Sequence, residues 1–282
     1  MEPFRVDYGD KTSSSGGLIQ RPVSIAGIAI NRQTIGLFDE TIALGPRVED
    51  GLLGLAPLTS STNSKRSYPS IFGSMDLEGL IPEKKFSIAL LGTAHYGTPD
   101  TGLIAFGGIP TSIALKSSWG TATLLEDGLY KIMVDGFTIQ GTESMALTAK
   151  QRSMVVDSGC FISYFPNPIA HAIFDLLPGT GAPDTECSGR LNEKCRLGSV
   201  WIIPCEGEVP HVSVTVGNVD FLIAKENLVI QMKEKEYCIS GIMPELNGQG
   251  ILGSTFMRDR VVVHDFTDPE EPRMEIASCT HS

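Results

Sequence analysis

Between His211 and Ile223 the chain reads HVSVTVGNVDFLI, two apolar, β-branched runs broken by Gly217-Asn218. This pattern constrains the fold more than any other feature, because it recurs along the chain. GGLIQRPVSIAGIAI, GLIAFGGI, GLYKIMVDGFTIQG and DRVVVHDF are also short runs that alternate or stay apolar, punctuated by Gly, Pro, Asn or Asp. Many short strands separated by turn formers predict an all-β architecture. Helical candidates are few: Pro69 to Glu78, and Pro168 to Leu177, which sets Ile169, Ala172, Ile173 and Leu176 on one face. Stretches rich in Ser, Thr and Gly at 59–67, 92–101 and 178–190 read as loops, none long enough for a disordered linker.

The 282 residues suffice for two domains or one large β-rich unit. With 41% hydrophobic and 20% charged residues, the chain can bury a sizeable core. A net charge of −11 without a basic patch argues against a nucleic-acid partner. No run approaches the ~18 apolar residues of a membrane span. The opening MEPFRVDYGDK lacks the basic and apolar segments of a secretory signal, and the closing MEIASCTHS lacks an anchor tail. Of the six cysteines, none forms a Cys-x-x-Cys pair. Three fall between 187 and 205 with no His at ligand spacing, so no metal is expected.

The chemistry-bearing stretch is RSMVVDSGCFISYFP, Arg152 to Pro166, where an apolar run ends on Asp157-Ser158-Gly159. Taken alone, those three residues describe a turn. An internal echo gives them context: EDGLLGLAPL (Glu49 to Leu58) and GQGILGSTFM (Gly248 to Met257) share Gly, two aliphatics and Gly. In a duplicated pair of lobes each such strand would support one Asp turn. The copy at Gly253 follows Asp157, whereas the equivalent Asp for Gly54 would fall before Met1.

Five landmarks in order resemble the pepsin-like aspartic endopeptidases over essentially the whole chain. FRVDYGDKTSSSGGL resembles the family's flap hairpin, and DGLLGLA an aliphatic-Gly strand of its N-terminal lobe. KKFSIALLG with TGLIAFGGI is similar to the close of that lobe, MVVDSGCFISYFP to the second active-site motif, and GILGSTFMRDRVVVHDF to the final strand pair. The resemblance implies a bilobal all-β fold, with an incomplete N-terminal lobe at 1–115 and a C-terminal lobe at 116–282. It implies peptide or protein substrates, no metal or organic cofactor, a monomer when full length, and a secreted or vacuolar location. Asp157 would carry one of two catalytic carboxylates, Ser158 would lock the opposed loops, and Gly159 would let backbone approach the substrate. Tyr8 would be the flap residue, with Gly9 and Asp10 its substrate-facing neighbours. Cys205 and Cys238 match the disulfide of the C-terminal lobe.

The pattern also breaks in places. No Asp-Thr-Gly or second Asp-Ser-Gly precedes Tyr8, so the expectation is a chain that begins late, with its first carboxylate and any signal upstream of Met1. Asp7 is no substitute, because a Tyr ring does not fit where that motif carries a small buried hydroxyl. Cys160 stands where the family has Thr or Ser, and a thiol is a weaker donor to a carboxylate. Cys160 as a nucleophile would need a positioned base, for which His171 is the nearest candidate. Ser254 replaces a frequent Asp. The alternative function is a catalytically inactive, protease-like peptide-binding protein or fragment.

Overall fold

The computed structural model describes residues 2–8, 13–42, 51–56, 68–91, 101–125, 128–143, 146–177, 201–203, 205–231, 238–245 and 248–279. They fall into two compact units, 1–84 with 126–129, and 85–125 with 130–282.

In the first unit three antiparallel strands run in sequence order, Glu2–Asp7, Ser13–Ile25 and Ile28–Ile42. Asp7 pairs with Ser13 at the end of the first ladder. A bulge falls between Ser15 and Gly16, where a Cβ on Gly16 would run into the Leu37 carbonyl. Phe4 stacks on Phe38 with ring centroids 5.6 Å apart. The helix Ile71–Leu77 is capped by Ser70, whose hydroxyl accepts from the Gly73 N–H, and buries Ile71, Phe72 and Met75.

The second unit holds the larger core. Its first five-stranded sheet has the order Thr101–Phe106, Lys85–Leu91, Arg260–Asp265, Arg273–Cys279 and Leu115–Thr123. Every residue of Arg260–Asp265 is buried, which explains why Val261, Val262 and Val263 follow one another without polar alternation. The strands Lys85–Leu91 and Thr101–Phe106, which the sequence division assigns to the first lobe, join this sheet by pairing with Arg260–Asp265. Val212–Val216 and Val219–Ile223, the two runs of HVSVTVGNVDFLI, pair as a hairpin. Its turn residues Gly217 and Asn218 take φ of 56° and 62°. Val212, Val214 and Val216 point inward on the period of two that a half-buried strand demands.

The second five-stranded sheet of this unit positions the site. Its order is Ile242–Pro244, Ser163–Phe165, Gly250–Leu252, Ser153–Val156 and Lys131–Met133. Ser153–Val156 and Ser163–Phe165 are consecutive in the chain yet not neighbours. Gly250–Leu252 lies between them, parallel to the first and antiparallel at Tyr164 to the second. The connecting loop, 157–162, therefore arches over the end of a strand supplied from far along the sequence.

Candidate active site

The strand beneath the site starts at a short helix, Ala149–Arg152. Thr148 and Gln151 form a capping box there: the Gln151 N–H donates to the Thr148 hydroxyl at 3.3 Å, and the Thr148 N–H donates to the Gln151 side chain at 2.9 Å. Met154, Val155 and Val156 then bury their side chains, and the chain surfaces abruptly at Asp157, Ser158 and Gly159, all exposed. A buried apolar strand thus ends by presenting a carboxylate to solvent.

That loop is fixed by its own backbone. The Asp157 N–H donates to Leu252 O at 3.1 Å, and the Cys160 N–H closes the turn on Asp157 O at 3.2 Å. The Gly159 N–H donates to Asp157 Oδ1 at 2.9 Å, which orients the carboxylate plane. A Cβ at residue 159 would lie 3.2 Å from the same oxygen. From below, the Ser254 N–H donates to Cys160 O at 2.7 Å and the Ser254 hydroxyl to Ser158 O at 3.3 Å. Gly253 allows this approach, because a Cβ there would sit 2.6 Å from Cys160 O.

Beneath the loop runs a buried polar chain that the sequence reading missed. The Gly253 N–H donates to Ser163 Oγ at 3.1 Å, Ser163 Oγ is 2.8 Å from Thr255 Oγ1, and Thr255 donates to Gly241 O at 2.9 Å. Thr255 spends its one proton on Gly241, so Ser163 is the donor between the two hydroxyls. Ser163 and Thr255 are both fully buried. Isolated Ser and Thr among apolar residues carry no recognisable signature, which is why these two escaped notice. Ser254 was noted only as a departure.

The remaining candidates separate. Tyr8 follows the strand Glu2–Asp7 and is half-buried, while Gly9 and Asp10 lie outside the described residues. Cys160 is a partly buried thiol that donates to Ile162 O at 3.2 Å. His171 is exposed on the helix Asn167–Leu176, with its ring 5.5 Å from that of Trp201. Cys205 and Cys238 are joined in a disulfide. Among the described residues no group of three His, Cys, Asp or Glu could hold a metal ion, and Cys187 and Cys195 lie outside them. A further tripeptide, Asp100-Thr101-Gly102, has the same residue pattern as a catalytic turn. Thr101 and Gly102 nevertheless lie inside a strand, with Thr101 paired to Leu91 and a Cβ on Gly102 meeting Ala89 O at 2.6 Å. Its Asp100 lies outside the described residues.

Sequence comparison bears on this geometry. The model of a family described as eukaryotic aspartyl protease matches residues 1–278. A protein of Aspergillus fumigatus named as a probable aspartic-type endopeptidase is 28% identical over 283 residues, covering 92% of this chain and 61% of its own length. Rhizopuspepsin-4 of Rhizopus niveus is 25% identical, covering 97% of this chain and 63% of its own length. Penicillopepsin-2 of Penicillium janthinellum is 24% identical, with 94% and 62% covered. The chain thus spans about three fifths of the length of these relatives.

Proposed function

The chain belongs to the eukaryotic aspartyl protease family, and from that membership we propose that it acts in an aspartic-type endopeptidase, with Asp157 as one carboxylate of the catalytic pair. The observation that carries this reading is the Asp157 turn itself. An exposed carboxylate, with Oδ1 held by the Gly159 N–H, stands on a loop pinned by Leu252 and Ser254. Preorganisation of this kind suits a group that must meet a substrate without rearranging.

Two carboxylates brought within contact cannot both ionise, and aspartic proteases are the standard instance of that coupling. The ionised member takes a proton from water as the water oxygen adds to the peptide carbonyl carbon. The protonated member gives its proton to the carbonyl oxygen. When the tetrahedral adduct collapses, the C–N bond breaks, the leaving nitrogen takes the proton first removed from water, and the re-forming carboxyl group returns a hydroxyl proton to the other carboxylate. Asp157 supplies one of these carboxylates. The other belongs to a second Asp-(Thr/Ser)-Gly loop, which the exposed Ser158 would meet. Tyr8, Gly9 and Asp10 take the flap role that family membership suggests, shielding the reacting amide from water. The substrates are peptides or proteins. The Cys205–Cys238 disulfide supports a secreted or vacuolar setting, since such bonds persist in oxidising compartments.

The test is peptide hydrolysis between pH 3 and 6 by the full protein and its Asp157→Asn variant. Titration with a peptide carrying a secondary alcohol in place of the scissile amide reports binding separately. Hydrolysis in the parent, a loss of at least about a thousandfold in Asp157→Asn, and retained binding are the expected results. Binding without hydrolysis in both proteins would establish the alternative, a peptide-binding relative without catalysis.

A further inference from the structure

His264 lies in the middle strand of the five-stranded sheet that contains Arg260–Asp265, with 2% of its surface exposed. Its imidazole lies flat on the Phe86 ring, with centroids 4.3 Å apart and planes 9° apart. The Tyr130 ring meets it edge-on at 4.6 Å. Its cross-strand partners are Phe86 and Met274. Further along the same face come Ile88, Val262 and Ile276, all apolar. Among the described residues, Nδ1 is buried without a hydrogen-bond partner.

The charged neighbours lie one residue along each strand, hence on the opposite face of the sheet. Asp265 there is 3.7 Å from Lys85 Nζ and 3.3 Å from Arg273, and Arg273 also pairs with Glu275 at 3.2 Å. On the remaining packed segment, burial raises the Tyr130 phenol far above its usual range, so it stays neutral. Lys131 beside it is held in the ladder opposite Val155. A charged imidazole in this aromatic box would lose hydration at Nδ1 without an acceptor there in return. Burial accordingly pushes the His264 pKa down to about 3. Tyr130 is also tied to the candidate site, because its carbonyl accepts the Val156 N–H at 2.8 Å, one residue before Asp157.

We propose that His264 sets the acid limit of this protein: uptake of a proton expels its ring from between Phe86 and Tyr130 and loosens the strand that carries Asp157. The consequence for activity rests on the endopeptidase reading, whereas the consequence for folding does not. The direction follows from proton linkage. Below the usual imidazole pKa of about 6.5 the unfolded chain binds a proton that the folded chain refuses. Stability therefore falls progressively as pH drops from about 6.5 to about 3, and this group contributes no pH dependence above that window.

The test is acid unfolding from pH 7 to 2, followed by circular dichroism and tryptophan fluorescence, for the parent and His264→Phe. We expect the variant's midpoint to move down by about half a pH unit, with about one proton fewer taken up. In parallel, ¹⁵N NMR of the parent should show the His264 imidazole neutral at pH 5. A ring that titrates near its usual value in the folded protein, or an unchanged midpoint in a folded His264→Phe, overturns the proposal. If His264→Phe does not fold, the NMR titration alone decides. Absence of peptide hydrolysis in a protein that shows the predicted titration would refute the endopeptidase reading and leave this one standing.

Discussion

At Gly253 the two halves of the internal echo separate energetically. An added Cβ there would meet Cys160 O at 2.6 Å and come closer still to Ile162 O, both backbone atoms of the Asp157 loop. At Gly54, the matching position of the other copy, a Cβ would meet nothing within 4 Å among the described residues. Gly253→Ala should therefore lower unfolding free energy by about 2–3 kcal/mol in urea titrations, as overpacking does. Gly54→Ala should stay within about 0.5 kcal/mol. Equal effects would mean that Gly253 does not hold the loop as described. The neighbourhood of Asp157 was legible because a trio of turn formers ends a long apolar run, a local contrast that needs no tertiary knowledge. The role of Gly253 followed only from the echo. The aromatic box around His264 was not legible, since Phe86, Tyr130 and His264 are scattered along the chain and only strand register brings them together.

At the scale of elements, the hydroxyl chain from Gly253 through Ser163 and Thr255 to Gly241 ties the strand Ser163–Phe165 to the segments on either side of it. Ser163→Ala leaves the Gly253 N–H and the Thr255 hydroxyl without this partner in a dry interior. The expected cost is about 1–3 kcal/mol, with amide exchange at Gly253 accelerated. A cost below about 0.5 kcal/mol would show that water replaces the hydroxyl. Both helical segments read from the sequence formed, at Ile71–Leu77 and Asn167–Leu176. The predicted apolar face of the second needs correction: Ile169 and Ile173 are buried, but Ala172 is only partly covered and Leu176 is 48% exposed. Ala170 and Phe174 take their places, because Trp201 packs 4.1 Å from the Phe174 ring and so selects which side of the helix turns inward. Helical spacing defines a stripe, but the partner that covers it decides the rotation.

For the molecule as a whole, the Cys205–Cys238 bridge encloses the hairpin Val212–Val216 with Val219–Ile223, the helix Lys225–Leu228 and the strand Val229–Gln231. Opening this 33-residue separation should cost about 4 kcal/mol by the chain-entropy argument. Urea midpoints of the parent and a Cys205→Ser/Cys238→Ser double variant, each with and without reductant, measure it. The parent should fall to the variant's stability on reduction, and the variant should not respond. The all-β class was legible because turn chemistry and short apolar runs recur throughout the chain. Which strands share a sheet was not, because pairings such as Lys85–Leu91 with Arg260–Asp265 depend on contacts between distant parts of the sequence. The same property has a consequence in time. The arch 157–162 acquires its support only when Gly250–Leu252 slides between strands that precede it by about a hundred residues, a contact of high order and slow closure. A nascent chain therefore emerges with Asp157 already synthesised but unsupported. The loop takes its final geometry only after the segment through Leu252 has left the ribosome.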